Sequence, residues 1–142
     1  MSLIDRAIFT HLTGGAVGAI VGDRVHPQMR RSGDPLPAIV YERASGARVQ
    51  SANGQSGLAH PLYDLTCWGR TPDEAKQLAE AVRLRMSDLD RTTVAGVFID
   101  RVRMEDGDAD LIEAQPQNEN NRVFGVSLSF RVWHREATPT GA

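Results

Sequence analysis

Cysteine occurs once in this 142-residue chain, at Cys67, and lysine once, at Lys76. A lone cysteine excludes an intramolecular disulfide framework and a cysteine-based zinc site. No apolar run approaches the roughly 20 residues needed to cross a bilayer. The opening Met1-Ser2-Leu3-Ile4-Asp5-Arg6 also lacks the basic-then-apolar order of a secretion signal. The expectation is a soluble, unprocessed chain with no membrane partner. Basic excess is missing too: the formal net charge is -2, which gives no general reason to expect nucleic acid or an anionic surface as a partner. Of 16 basic residues, all but Lys76 are arginine. A GC-rich coding sequence accounts for most of that bias, although arginine also suits fixed, bidentate pairing with carboxylates. The length and the ordinary balance of 41% hydrophobic and 24% charged residues predict one compact domain over residues 1–135. Residues 136–142, small, polar and proline-containing, read as a flexible tail.

What is present is clearest between Tyr63 and Leu89. Tyr63-Asp64-Leu65-Thr66-Cys67-Trp68 alternates as a half-buried strand does and leads through Gly69-Arg70 into Thr71-Pro72-Asp73-Glu74. The threonine supplies an N-cap hydroxyl, the proline suits the first helical position, and the carboxylates favour the positive end of the helix dipole. Ala75, Leu78, Ala79, Val82, Met86 and Leu89 then fall on one helical face. Arg122 to His134 gives the other clean strand, with Phe124, Val126, Leu128, Phe130 and Val132 on one face and Gly125, Ser127, Ser129 and Arg131 on the other. The apolar set must face the helices.

Elsewhere, Ser2 and Asp5 form a weak capping box, and Ile4, Ala7, Ile8 and Leu12 predict a first helix ending near His11 to Thr13. Gly14, Gly15 and Gly18 predict a turn and a short irregular helical piece up to Val21. Val25 to Met29 can extend only at a sheet edge because of Pro27. Ala38 to Arg43 reads as a strand, and Thr92 to Glu105 as a long or bent strand with a turn or bulge at Gly96. Glu105 to Asp110 reads as an acidic connection. Ser45 to His60, rich in Gly, Ser, Ala, Asn and Gln, reads as a long mobile loop, and so as a better functional candidate than any core polar residue. The fold class expected is α+β, with two helices packed on one face of a mainly antiparallel sheet and this long loop between the second and third strands.

No catalytic constellation emerges. His11, His26, His60 and His134 have neither helical metal-ligand spacing nor an adjoining carboxylate motif. Gly54-Gln55-Ser56-Gly57 lacks the outer-glycine spacing of a serine nucleophile turn. Cys67 shares a face with Tyr63 and Leu65, as a core residue does. Asp106-Gly107-Asp108-Ala109-Asp110 begins like a calcium loop but puts Leu111 where glycine is needed and Gln117 where glutamate is needed. No cofactor or metal is expected.

Charge distribution says more. Arg24, Arg30, Arg31, Arg43 and Arg48 dominate the first half, whereas Glu105, Asp106, Asp108, Asp110, Glu113 and Glu119 occupy a segment with no basic residue. One basic and one acidic flank suit heterologous, head-to-tail contacts between copies. Trp68 and Trp133 fall on the polar side of their strands, where another element or another subunit would cover them. The interface candidates are therefore the five arginines, Asp106, Asp108, Asp110, Glu113, Trp68 and Trp133.

Taken in order, the helical start, Val21-Gly22-Asp23-Arg24-Val25-His26-Pro27, Leu36-Pro37-Ala38-Ile39-Val40-Tyr41, Tyr63-Asp64-Leu65, the Glu74 to Met86 helix and Phe130-Arg131-Val132-Trp133 resemble the tail-completion, or tail-terminator, family of long-tailed bacteriophages. The resemblance spans nearly the whole chain, fits a prophage or gene transfer agent equally well, and departs mainly in the length of the Ser45 to His60 segment. It implies a non-enzymatic virion protein that assembles in the bacterial host cytoplasm. Members form a ring, typically a hexamer, on the head-proximal end of the tail tube, end tube growth and mediate head-tail joining. The implied partners are further copies of itself, the tail-tube protein and the head-tail connector, with DNA only as passing cargo. Two other readings remain: another head-tail adaptor, or a small-ligand-binding or enzymatic α+β domain using Tyr41, Tyr63 or His134.

Overall fold

A computed structural model describes residues 3–28, 35–45, 48–51, 54–115 and 118–135, with side chains described for 3–28, 35–44, 59–105 and 122–135. The tail at 136–142 and the arginines Arg30 and Arg31 lie outside these residues. Three helices, α1 (Leu3–Leu12), α2 (Gly15–Val21) and α3 (Pro72–Ser87), accompany eight strands. The strands are β1 (Val25–Pro27), β2 (Ala38–Ser45), β3 (Arg48–Ser51), β4 (Gly54–Ala59), β5 (Leu62–Gly69), β6 (Thr92–Val94), β7 (Val97–Gln115) and β8 (Asn118–Arg135). They form one mixed sheet in which, among the described residues, only β1 and β2 pair in parallel.

The centre of the sheet is β5 against β8, paired antiparallel without interruption from Leu62↔Arg131 to Gly69↔Phe124. Alternation puts Tyr63, Leu65 and Cys67 beside Val126, Leu128 and Phe130 on one face, all essentially excluded from solvent. Onto that face α3 lays Ala75, Leu78, Ala79, Val82 and Met86, and α1 adds Ile4, Ala7, Ile8 and Leu12. β2 adds Ile39 and Tyr41 from one side, and β7 adds Val97, Ile99 and Val102 from the other. The opposite face of the sheet carries no helix among the described residues.

Helix α3 starts as its residues dictate. Thr71 Oγ1 accepts a hydrogen bond from the Glu74 backbone N–H at 3.1 Å, Pro72 follows the cap, and Glu74 Oε1 reaches back to the Arg70 N–H at 3.1 Å. Its far end is tied to α1 reciprocally. Arg85 Nε donates to the His11 carbonyl at 3.0 Å, while His11 Nε2 lies 2.8 Å from the Arg85 carbonyl, so each residue serves the other's helix end. Gly15 adopts φ +62°, and a Cβ there would come within 2.9 Å of the Arg85 guanidinium. Gly14 and Gly15 thus give the arginine room, and the segment up to Val21 holds a helix, α2, making three helices among the described residues where two are expected.

Two further expectations are corrected. Ser45 to His60 is not a long loop: it holds β3 and β4, which pair antiparallel from Arg48↔Ala59 to Ser51↔Gly54 just beyond the β2–β5 pair. Local composition has little strand preference there, but chain segments leaving two paired strands in register continue to hydrogen bond to each other, and that context overrides propensity. The same reasoning applies to Glu105 to Asp110, which lies inside β7, paired along β8 through several register shifts, rather than in a connection. The turn at Gly96 is present. Ala95 and Gly96, with φ +49° and +82°, close the β6–β7 hairpin as a two-residue loop with both central residues left-handed.

Replacing Thr71 with alanine removes the cap and is expected to lower stability by about 1 kcal/mol, read as a shifted urea midpoint, with serine restoring most of it. Burial lowers the His11 pKa below its ordinary value of 6.5, the carbonyl of Arg85 opposing that effect. The unfolded chain therefore binds the proton more readily, and stability falls as pH drops below about 6.5. His11→Gln should flatten the pH 5 to 7 dependence of the urea midpoint.

Candidate functional site

The helix-free face is the surface left for contact. Its centre is polar and internally bonded. Ser129 donates to Asp64 Oδ1 across the β5–β8 pair at 2.6 Å, flanked by Thr66 and Ser127. Arg131 holds Glu105 of β7 with two hydrogen bonds, 2.9 and 3.2 Å, and donates a third to the His60 carbonyl at 3.0 Å. The Arg131 guanidinium beside it lowers the Glu105 pKa. One member of the acidic segment is thus already paired within the chain.

The two tryptophans lie on this face, each half-buried. Trp68 packs against Leu36, Ala38 and Val123 and lies across Gly125, where a Cβ would meet the indole at 2.8 Å. Glycine in the middle of β8 therefore makes the seat for the ring. Trp133 has the Arg101 guanidinium 4.7 Å from its ring centre and stacks on His60 at 6.3 Å and 27°. Both indoles are partly covered by their own chain and keep an open side.

The basic candidates separate. Arg24 donates to the carbonyls of Pro37 (2.8 Å) and Ile20 (3.1 Å), tying α2 to the start of β2. Arg43 pairs with Asp5 of α1 at 3.1 Å and lies over the Tyr63 ring. The Tyr63 hydroxyl donates to the same carboxylate, and burial together with that bond pushes its pKa up. Sequence periodicity gave no sign of this Asp5–Arg43–Tyr63 cluster, which joins α1, β2 and β5, because it depends on tertiary proximity alone. For Arg48, Asp106, Asp108, Asp110 and Glu113 only the backbone is described: Arg48 begins β3, and the acidic four lie along β7.

Chemistry is sparse. Tyr41, Tyr63 and His134 are all buried, Tyr63 engaged with Asp5 and Arg43 as above, and His134 Nδ1 lies 3.3 Å from the Arg135 carbonyl. Among the described residues, no three His, Cys, Asp or Glu side chains are grouped closely enough to hold a metal ion. What the surface offers is paired arginines, a bonded polar centre and two seated indoles, the materials of a protein contact.

A family model described as "Tail completion protein gp17" matches residues 6–135, which takes in every element from α1 to β8. The chain belongs to this family. Membership makes it a structural protein of the phage-type virion tail. No curated protein matches the sequence. Among solved structures, a chain of the "Virion of native gene transfer agent (GTA) particle" shares the fold, with a TM-score of 0.70, 14% identity, and coverage of 94% of this chain and 95% of that one. At that identity the likeness is one of architecture. It extends over nearly the full length of both chains.

Gly125→Ala should displace the Trp68 indole and cost roughly 1–3 kcal/mol, the usual penalty of overpacking. In a Trp133→Phe background, the remaining tryptophan emission should shift to the red as Trp68 becomes exposed.

Proposed function

We propose that this tail completion protein closes the head-proximal end of a tail tube as a ring of identical copies, a hexamer in the manner typical of the family, ending tube growth and joining the tail to the head connector. It works by contact rather than by catalysis. The observation that carries this reading is the lateral arrangement of charge across the sheet. Strand order runs β1-β2-β5-β8, with β7 on the far side of β8. Arg24 immediately precedes β1, Arg30 and Arg31 follow it in sequence, and Arg43 is on β2. Glu105 and the Asp106 to Glu113 positions belong to β7. Strands β1 and β2, with Arg24 and Arg43, therefore lie toward one edge of the sheet and β7 toward the other.

A ring needs this kind of subunit. Head-to-tail contacts require two different, complementary surfaces on each copy, and they close when the rotation between copies divides a full turn. Charges on the rims of such contacts steer encounter and register more than they add affinity. Trp68 and Trp133, each with one open side on the helix-free face, supply apolar anchors that the charges alone would not.

The test uses the full chain in the assembling cell and in the purified particle. Electron microscopy should locate the protein at the head end of the tail, and native mass measurement of the detached assembly should give a closed ring. Absence from the particle would refute the reading. Replacing Arg30 and Arg31 together by glutamate should abolish tail joining, at least a tenfold loss of infectious or transducing particles, with an unchanged thermal midpoint. Normal joining in that variant would remove the basic edge from the interface.

A further inference from the structure

The corner of the sheet where β7 meets the end of β8 is rich in arginine. Arg101 and Arg103 come from β7, and Arg131 and Arg135 from β8. Three of these have a carboxylate within the chain: Arg103 pairs with Asp90 at 3.1 Å, Arg131 with Glu105 at 2.9 Å, and Arg135 with Asp100 at 3.6 Å. Arg101 has none among the described residues. Its exposed side chain lies over the Trp133 indole, and the Asp90 carboxylate that feels its charge is already bonded to Arg103 and to the Val102 N–H. A guanidinium seated on an indole keeps its N–H edge available to a carboxylate. Arginine and tryptophan are also among the residues enriched where partners bind tightly.

A spot of the opposite sign lies across the same helix-free face. Glu42 of β2 stands in register with Asp64 of β5, so two carboxylates are direct neighbours across the ladder. Like charges so placed repel. Asp64 accepts from Ser129 at 2.6 Å, whereas exposed Glu42 bonds to no described residue. The adjacent Arg43 does not answer them, because it pairs with Asp5 on the helix side. Glu42 is also laterally open: β1 pairs with β2 only as far as Tyr41, so among the described residues no strand lies outside it.

The two spots cannot meet within one chain. β5 and β8 separate β2 from β7. Along β8, the level of Asp64 is that of Ser129 and the level of Arg101 is that of Trp133, a further separation of about 13 Å at the usual rise per residue. Only another molecule can bring them together.

We propose that Arg101, seated on Trp133, binds the Glu42–Asp64 carboxylate pair of a second copy, the β7 side of one copy taking the β2 side of the next. Charge identifies the occupant: one spot lacks an anion, the other lacks a cation, and every copy carries both. Since the two surfaces differ, each contact leaves one of each kind open for a further copy, as a head-to-tail ring requires. The contact also gives the β2 side a role that its described arginines do not supply, since Arg24 and Arg43 are engaged with Pro37, Ile20 and Asp5. The inference deepens the ring reading and rests on it, but its test has a separate outcome.

Charge exchange tests the contact in the full chain, with each variant supplied as the sole copy in the assembling cell. Arg101→Glu and Glu42→Arg should each lower the yield of infectious or transducing particles roughly tenfold or more, with an unchanged thermal midpoint, because like charges then face each other. The double variant should recover the yield. So should coexpression of the two single variants, because copies alternating around an even-numbered ring meet only opposite charges. If a reversal disturbs folding, Arg101→Gln and Glu42→Gln decide the matter: each should impair assembly, and the two together no more than either alone. Normal yield from both single reversals overturns the contact and leaves the ring reading standing. A defect in Arg101→Glu that Glu42→Arg does not relieve also overturns it, and assigns the surface to another virion protein. Absence of the unaltered chain from particles removes the ring reading and this contact together.

Discussion

Everything in this fold hangs on the uninterrupted pairing of β5 with β8. Eight consecutive residue pairs, from Leu62↔Arg131 to Gly69↔Phe124, fix which residues of each strand share a face. A slip of one residue would turn Tyr63, Leu65 and Cys67 away from the helices while bringing Asp64, Thr66 and Trp68 beneath them. α3 packs chiefly on β5 and β8, α1 reaches β6 and β7, and both α1 and α2 are held to α3, α1 also by the His11–Arg85 exchange of helix-end bonds. The back face depends on the same register, since only that alignment sets Gly125 beneath Trp68 and Ser129 beside Asp64.

The elements whose faces differ in polarity were the legible ones. β5, α3 and the inner part of β8 announce themselves because one side is apolar and the other is not, and the cap at Thr71 is written in adjacent residues. Ser45 to His60 reads as a mobile loop and Glu105 to Asp110 as an acidic connection, yet strands β3 and β4 occupy the first and β7 runs through the second. Both segments pair through register shifts, between Val49 and Gln50 in one and between Met104 and Ala109 in the other, and a shifted strand leaves no regular alternation to read. Helix α2 was obscured by its glycines, whose purpose becomes visible only when Arg85, seventy residues later in the chain, is seen to occupy the space they leave. The candidate surface was legible in part. Trp68 and Trp133 are on the predicted face, but the neighbours that seat them, Gly125 and Val123 for one, Arg101 and His60 for the other, come from strands distant in sequence.

Family membership makes this chain a structural protein of the virion tail. A protein that works by contact can place its ionisable groups for cohesion. Asp5 with Arg43 and Tyr63, Glu105 with Arg131, and Asp90 with Arg103 each join different elements. The near-exclusive use of arginine fits that role, since the guanidinium bonds carbonyls and carboxylates in fixed geometry, as Arg24, Arg85 and Arg131 do here.

The single strand β8 links the two ends of the molecule, and this has a mechanical consequence. It pairs with Gln115 of β7 at its start and with Leu58 and Ala59 of β4 at its finish. Antiparallel ladder bonds run perpendicular to the strands. A pull between the ends of the sheet therefore loads the β5–β8 and β7–β8 bonds together, in shear, rather than peeling them open one at a time. Such a fold resists tension along its strands far better than across them.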